Sequence, residues 1–123
     1  MKFIAAILVA LIVPCLVIQA AGAEKLQHVV CFKFKPTASP EEIKKVETIF
    51  AGLKDKIPQI VALESGANVS KEKRDKGFTH CFIITFKSEA DRDIYIDHPA
   101  HKALVKLVGP AVDDVFVIDF FAK

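Results

Sequence analysis

Two stretches of this chain sort their residues onto two faces with a two-residue period that fits an extended strand, and each carries a histidine at the start of its more richly apolar face. From Leu26 to Phe34, residues His28, Val30, Phe32 and Phe34 share one face, while Val29, Cys31 and Lys33 share the other. From Phe78 to Phe86, His80, Phe82, Ile84 and Phe86 oppose Cys81, Ile83 and Thr85. A two-residue period of this kind is the pleat of a sheet with one richly apolar side. Between these strands, Ser39 and Glu42 make a capping box with Pro40 at the first helical position. Ile43, Val46, Ile49, Phe50, Leu53 and Ile57 then recur at helical spacing, which predicts one amphipathic helix ending at Pro58. Val61 to Val69 reads as a weaker strand, with Gly66 marking a bulge or bend. The charged run Lys71 to Lys76 reads as a solvated hairpin loop closed by Gly77.

A second helical region begins at Ser88, which with Asp91 forms an N-cap, and carries Ala90, Ile94 and Tyr95 inward. Proline disfavours helical backbone in the residue before it, so His98-Pro99 breaks this helix and starts another. The new helix buries Ala100, Ala103, Leu104, Leu107 and Val108 and stops at Gly109-Pro110. Asp113-Asp114 reads as a polar turn before a last strand, Val115 to Phe121, that is apolar on both faces. The order β-α-β-β-α-β is that of the ferredoxin-like α+β fold, a four-stranded antiparallel sheet with its helices on one face. We take the first and third strands as parallel neighbours, which would set His28 and His80 level on one face. In that register Cys31 and Cys81 stand about 8 Å apart, from an offset of two residues at roughly 3.3 Å each and a lateral spacing of about 4.8 Å. They are therefore expected to stay unbridged. The sheet face away from the helices carries Val29, Cys31, Cys81 and Ile83, too apolar to leave in water, and predicts a homodimer.

The first 23 residues read differently from the rest. Met1-Lys2 precedes an unbroken apolar run from Phe3 to Val13, and Ala21-Gly22-Ala23 offers small residues for cleavage. This is the pattern of a secretory signal peptide, too short and too interrupted by Pro14 for a membrane span. An uncleaved anchor is the alternative. Residues 1–23 are thus read as a leader and 24–123 as one exported domain, secreted or periplasmic, with no membrane attachment after cleavage. The leader holds one charge, Lys2, so its removal takes the net charge from +2 to +1. A nearly neutral domain is a poor partner for nucleic acid.

Chemistry concentrates in Tyr95-Ile96-Asp97-His98-Pro99-Ala100-His101, which holds the only tyrosine and two of the four histidines. His101 falls in the first turn of its helix, where the positive end of the dipole favours a neutral ring able to accept a proton. The candidate catalytic pair is Tyr95 and His101, with the tyrosine as hydrogen-bond donor and the histidine as general base. The candidate ligand-binding set is His28, Phe32, His80, Phe82, Tyr95, His98 and His101. The competing view makes His98 a helix-junction cap and leaves Tyr95 and His101 as packing at the core edge. No carboxylate or cysteine joins the histidines at metal-ligand spacing, and there is no nucleotide-binding glycine pattern, so neither metal nor cofactor is expected.

The segments His28 to Lys35, Gly77-Phe78-Thr79-His80, and Asp91 with Tyr95 and His98-Pro99-Ala100-His101 resemble the stress-responsive A/B barrel (dabb) family over essentially all of 26–121. The resemblance implies a dimeric α+β barrel. It also implies two functional classes, plant stress proteins and a polyketide cyclase that forms olivetolic acid. Matching the cyclase residue by residue places its catalytic tyrosine and histidine at Tyr95 and His101, and its other cavity histidines at His28, His80 and His98. Two functions follow as expectations: a stress-related dimer whose cavity binds a small apolar or aromatic ligand, or a proton-transfer enzyme, cyclase-like or monooxygenase-like.

Overall fold

The computed structural model describes residues 24–123, so the expected signal peptide, with Cys15, lies outside the described residues. The elements run β1 (Leu26–Phe34), α1 (Pro40–Ala51), α2 (Leu53–Lys56), β2 (Ala62–Ala67), β3 (His80–Phe86), α3 (Glu89–Asp97), α4 (Pro99–Val108) and β4 (Val112–Phe121). The four strands form one sheet in the order β2-β3-β1-β4, every neighbouring pair antiparallel. This is the ferredoxin-like arrangement expected from the sequence.

Local signals placed the element starts. Ser39 accepts from the Glu42 amide while the Glu42 carboxylate accepts from the Ser39 amide, the reciprocal pair that starts α1. Ser88 accepts from the Asp91 amide and starts α3. The first helical region is divided, because Gly52 separates α1 from the short turn α2. Glycine costs a helix interior about 1 kcal/mol relative to alanine, and Leu53 and Ile57 reach the core across the break. The last strand begins at Val112, so Asp113 and Asp114 belong to β4 and not to a turn before it. The register of β1 against β4 shifts between Lys33 and Phe34, which accommodates this start. No shift occurs at Gly66, which pairs in unbroken register with Cys81.

The core fills the space between the sheet and the helices. Phe50 of α1 stacks on Phe82 of β3, with ring centroids 3.9 Å apart and planes 9° from parallel. Phe32 leans on both. Such pairs add about 0.5–1.5 kcal/mol beyond the burial of their area. Phe86, Ile84, Leu26 and Val46 complete the buried layer. Ile94 was expected to face this core but is exposed, leaving Tyr95 as the buried anchor of α3.

One expectation about direction fails. β1 and β3 are neighbours, but they run antiparallel. The crossover through α1 returns β2 parallel to β1, and the β2–β3 hairpin then reverses the chain. His28 therefore pairs with Ile84, and His80 pairs with Phe32. Both imidazoles face the helices, yet they stand about 14 Å apart along the sheet, four residues at roughly 3.4 Å each.

The helices cover only part of the sheet. On the face away from them, Phe116, Ile118 and Phe120 are each about half exposed. On the helix side, Val115 and Val117 of the edge strand β4 are also about half exposed.

Candidate functional site

The uncovered strip of β4 and the α3–α4 junction bound a cavity of about 640 Å³. His28, Val30 and Phe32 form its floor, Tyr95 and His101 one end, and Leu104, Val105 and Val108 the helical wall. Val115 and Val117 form the strand wall, with Asp113 and Asp114 near its opening. No lysine or arginine lines it. The volume lies within the range of small-molecule sites, and such sites are apolar with a few convergent polar groups.

Each polar group is held by a different element. His101 sits in the first turn of α4 with its Nδ1 2.9 Å from the carbonyl oxygen of Ile96. A carbonyl can only accept, so Nδ1 carries the proton and the neutral ring leaves Nε2 as an acceptor. Burial lowers the His101 pKa from its ordinary value, partly opposed by the Ile96 carbonyl and reinforced by the nearby His28. The direction agrees with the sequence reading, and desolvation is its largest cause. Tyr95 lies against it with ring centroids 4.5 Å apart. Tyr95 is 1 % exposed, and burial raises its pKa well above the usual phenol range, so its hydroxyl stays protonated and able to donate.

His28 is the buried member of a chain that sequence reasoning missed. Its Nδ1 donates to Asp119 Oδ1 at 2.6 Å, and Arg92 of α3 donates to Asp119 Oδ2 at 2.8 Å. Arg92 is also paired with Asp93. Asp119 lies directly opposite His28 in the β1–β4 register. A carboxylate between an imidazole and a guanidinium fixes the histidine tautomer with Nδ1–H toward the acid. The available signal was an aspartate in phase with Val115 and Val117 between the apolar residues of the last strand.

The structure brings together four of the seven candidate ligand residues, His28, Phe32, Tyr95 and His101. The other three lie outside the cavity lining. Phe82 is 1 % exposed beneath Phe50. His80 is at the far end of β1, with Nε2 2.9 Å from Glu47 and Nδ1 2.8 Å from the Thr79 hydroxyl. His98 ends α3 and caps α4, accepting from the Ala100 amide at 3.0 Å through Nδ1. Its extended backbone before Pro99 is the expected break. Among the described residues, no group of three or more His, Cys, Asp or Glu converges to hold a metal ion, and no helix is long and apolar enough to cross a membrane.

Residues 26–122 match the family model described as the stress responsive A/B barrel domain. The stress-response A/B barrel domain-containing protein HS1 of Arabidopsis thaliana is 36% identical over 95 residues, covering 77% of this chain and 87% of that protein. Olivetolic acid cyclase of Cannabis sativa is 28% identical over 95 residues, 77% of this chain and 94% of the cyclase. A dimeric ferredoxin-like protein of unknown function from Jannaschia sp. CCS1 superposes with a TM-score of 0.71 at 22% identity, covering 80% of this chain and 99% of that one. At that identity the likeness shows the fold alone.

Proposed function

The chain belongs to the stress-responsive A/B barrel family, and from that premise we propose that its cavity holds a small, largely apolar molecule by one carbonyl or hydroxyl group. Tyr95 donates to that group, and His101 Nε2 accepts from it or from the carbon beside it. The observation that carries this reading is the Ile96 carbonyl on His101 Nδ1, which leaves a neutral acceptor beside a protonated phenol in one apolar cavity. Asp113 and Asp114 near the opening, with no lining cation, favour a neutral ligand over an anionic one.

A second reading is supported by the direction of the His101 shift and by the similarity to a cyclase. A base kept neutral by desolvation can take a proton from the carbon next to a bound carbonyl, while the Tyr95 hydroxyl stabilises the enolate oxygen. The proton returns from His101 to carbon, so exchange with solvent is the minimal reaction.

Hexanophenone tests both readings. It is expected to bind with measurable heat and to exchange its α-protons in D₂O faster with the protein than without. Its 4-carboxylate is expected to bind at least about tenfold more weakly, an expense of about 1.4 kcal/mol. Binding that survives both Tyr95→Phe and His101→Ala unchanged would remove these two residues from the site.

The reading includes a homodimer and export. The exposed Phe116, Ile118 and Phe120 support the first, since a sheet face of this kind is unfavourable in water, and the Jannaschia protein is described as dimeric. The apolar run and small-residue motif of residues 1–23 support the second. Sedimentation at micromolar concentration and intact mass of the secreted chain test them. A concentration-independent monomer refutes the dimer, and retention of Met1-Lys2 refutes cleavage.

A further inference from the structure

We infer that Arg92, which lies outside the cavity, is a positioning residue that acts through Asp119 to keep the His28 ring uncharged and so sets the cavity's preference for neutral ligands. The second half deepens the proposed function and rests on that reading, while the first half concerns the protein alone. The strand register explains how the groups meet. Ala122 donates its amide to the Lys25 carbonyl, continuing the register in which Leu26 faces Phe121. Hydrogen-bonded and non-hydrogen-bonded pairs alternate along an antiparallel ladder, so a bonded Lys25–Ala122 pair makes His28–Asp119 a non-hydrogen-bonded pair, whose side chains stand closer together. The third group comes from α3, where Arg92 stands one turn before Tyr95 on the same helix face.

Charge decides what these contacts do. Asp119 accepts from His28 Nδ1 on one carboxylate oxygen and from Arg92 on the other, at 2.6 and 2.8 Å. With a neutral imidazole, the guanidinium and the carboxylate cancel. Protonating His28 would add an unbalanced positive charge to a buried ring, which desolvation opposes. Without Arg92 the carboxylate would face the ring alone, and a carboxylate at hydrogen-bond distance favours the charged imidazole. The other neighbours supply no buried anion. Phe86 of β3 and Tyr95 of α3 lie edge-on to the ring, and His101 of α4 is close enough that charge on His28 lowers its pKa. Asp93, the second partner of Arg92, is largely in water and screened. The bond to Asp119, ahead of that to Asp93, raises the guanidinium pKa, so Arg92 stays charged.

The consequence for the cavity follows from the other ring nitrogen. With Nδ1 committed to Asp119, Nε2 is the nitrogen left to the cavity. On a neutral ring it is an acceptor, which suits a hydroxyl and disfavours a carboxylate; on an imidazolium it would be a charged donor and attract an anion. Arg92 thus selects ligand charge from behind the wall, in a cavity that no lysine or arginine lines.

The ¹⁵N-histidine-labelled full chain is observed by NMR without ligand at neutral pH, where a neutral ring gives two widely separated nitrogen signals and an imidazolium two nearly coincident ones. The His28 signals are expected to be separated in the parent and in Arg92→Lys, which keeps the charge, and coincident in Arg92→Met. They should separate again in the double variant Arg92→Met with Asp119→Asn, where no carboxylate is left to neutralise. The 4-carboxylate of hexanophenone should bind the parent at least about tenfold more weakly than hexanophenone does, and Arg92→Met less than about threefold more weakly. Coincident His28 signals in the parent overturn the inference whether or not any variant folds. Separated signals in folded Arg92→Met, or a carboxylate penalty that this variant leaves unchanged, overturn it equally. Failure of hexanophenone to bind the parent would refute the proposed function, while the ligand-free spectra still decide the role of Arg92.

Discussion

His28 and His80 occupy equivalent places in two similar strands and face the same side of the sheet, yet they end in different chemistry. His28 is 6 % exposed, paired with Asp119 and set beneath a cavity. His80, with a side chain 16 % exposed, spans from β3 to Glu47 of α1, whose own side chain is 36 % exposed. The difference comes from what lies next to each strand end. At the His28 end, the edge strand supplies an acid and the α3–α4 junction supplies Tyr95 and His101, while the helices leave β4 uncovered. At the His80 end, Glu47 of α1, the adjacent Thr79 hydroxyl and the Phe34 ring take up the contacts of the imidazole. A histidine in an alternating strand is therefore a position, and its neighbours across the sheet decide whether it meets a ligand.

Five variants sharpen or break this comparison. His101→Ala is expected to reduce α-proton exchange of hexanophenone by about 10²–10⁴-fold, the usual worth of a positioned general base. His80→Ala, at the other end, should leave that exchange unchanged, and an equal loss in both would erase the distinction. Asp119→Ala leaves His28 and Arg92 without their shared partner in a half-buried setting and should cost about 2 kcal/mol in denaturant unfolding. His98→Ala removes the α4 N-cap and should cost about 1 kcal/mol. Glu47→Gln breaks a more exposed contact and should cost less than about 0.5 kcal/mol.

The His101 end should also respond to pH. The folded-state pKa of His101 is lowered from 6.5, so the unfolded chain binds more protons in the window between the folded value and 6.5. This group's stabilising contribution is complete above pH 6.5 and is lost as pH falls through the lowered folded value. Urea midpoints of the parent should drop across that window, and His101→Gln should flatten the drop. A steeper drop in the variant would show that the ring is not desolvated.

Much of the fold could be read from local residue chemistry. Alternation fixed the inner faces of β1 and β3, and the caps at Ser39 and Ser88 and the His98-Pro99 break are interactions within a few residues of chain. Register is not local. The relative direction of β1 and β3 depends on the crossover and the hairpin between them, and misjudging it set His28 beside His80 and Cys31 away from Cys81. Asp119 and Arg92 escaped notice for the same reason, since they are 91 and 64 residues from His28 (119 − 28 and 92 − 28) and meet it only once the sheet is assembled. Tyr95 and His101 were legible because six residues across one helix junction bring them together.

The central claim is that the His28–Tyr95–His101 end of the sheet receives the ligand and the His80 end does not. Titrating hexanophenone into ¹⁵N-histidine-labelled protein and following the four imidazoles by NMR tests it most directly. The account predicts saturable shifts of the His101 and His28 ring nitrogens, largest at His101 Nε2, with His80 unmoved. A saturable shift at His80 while His101 stays in place would contradict it.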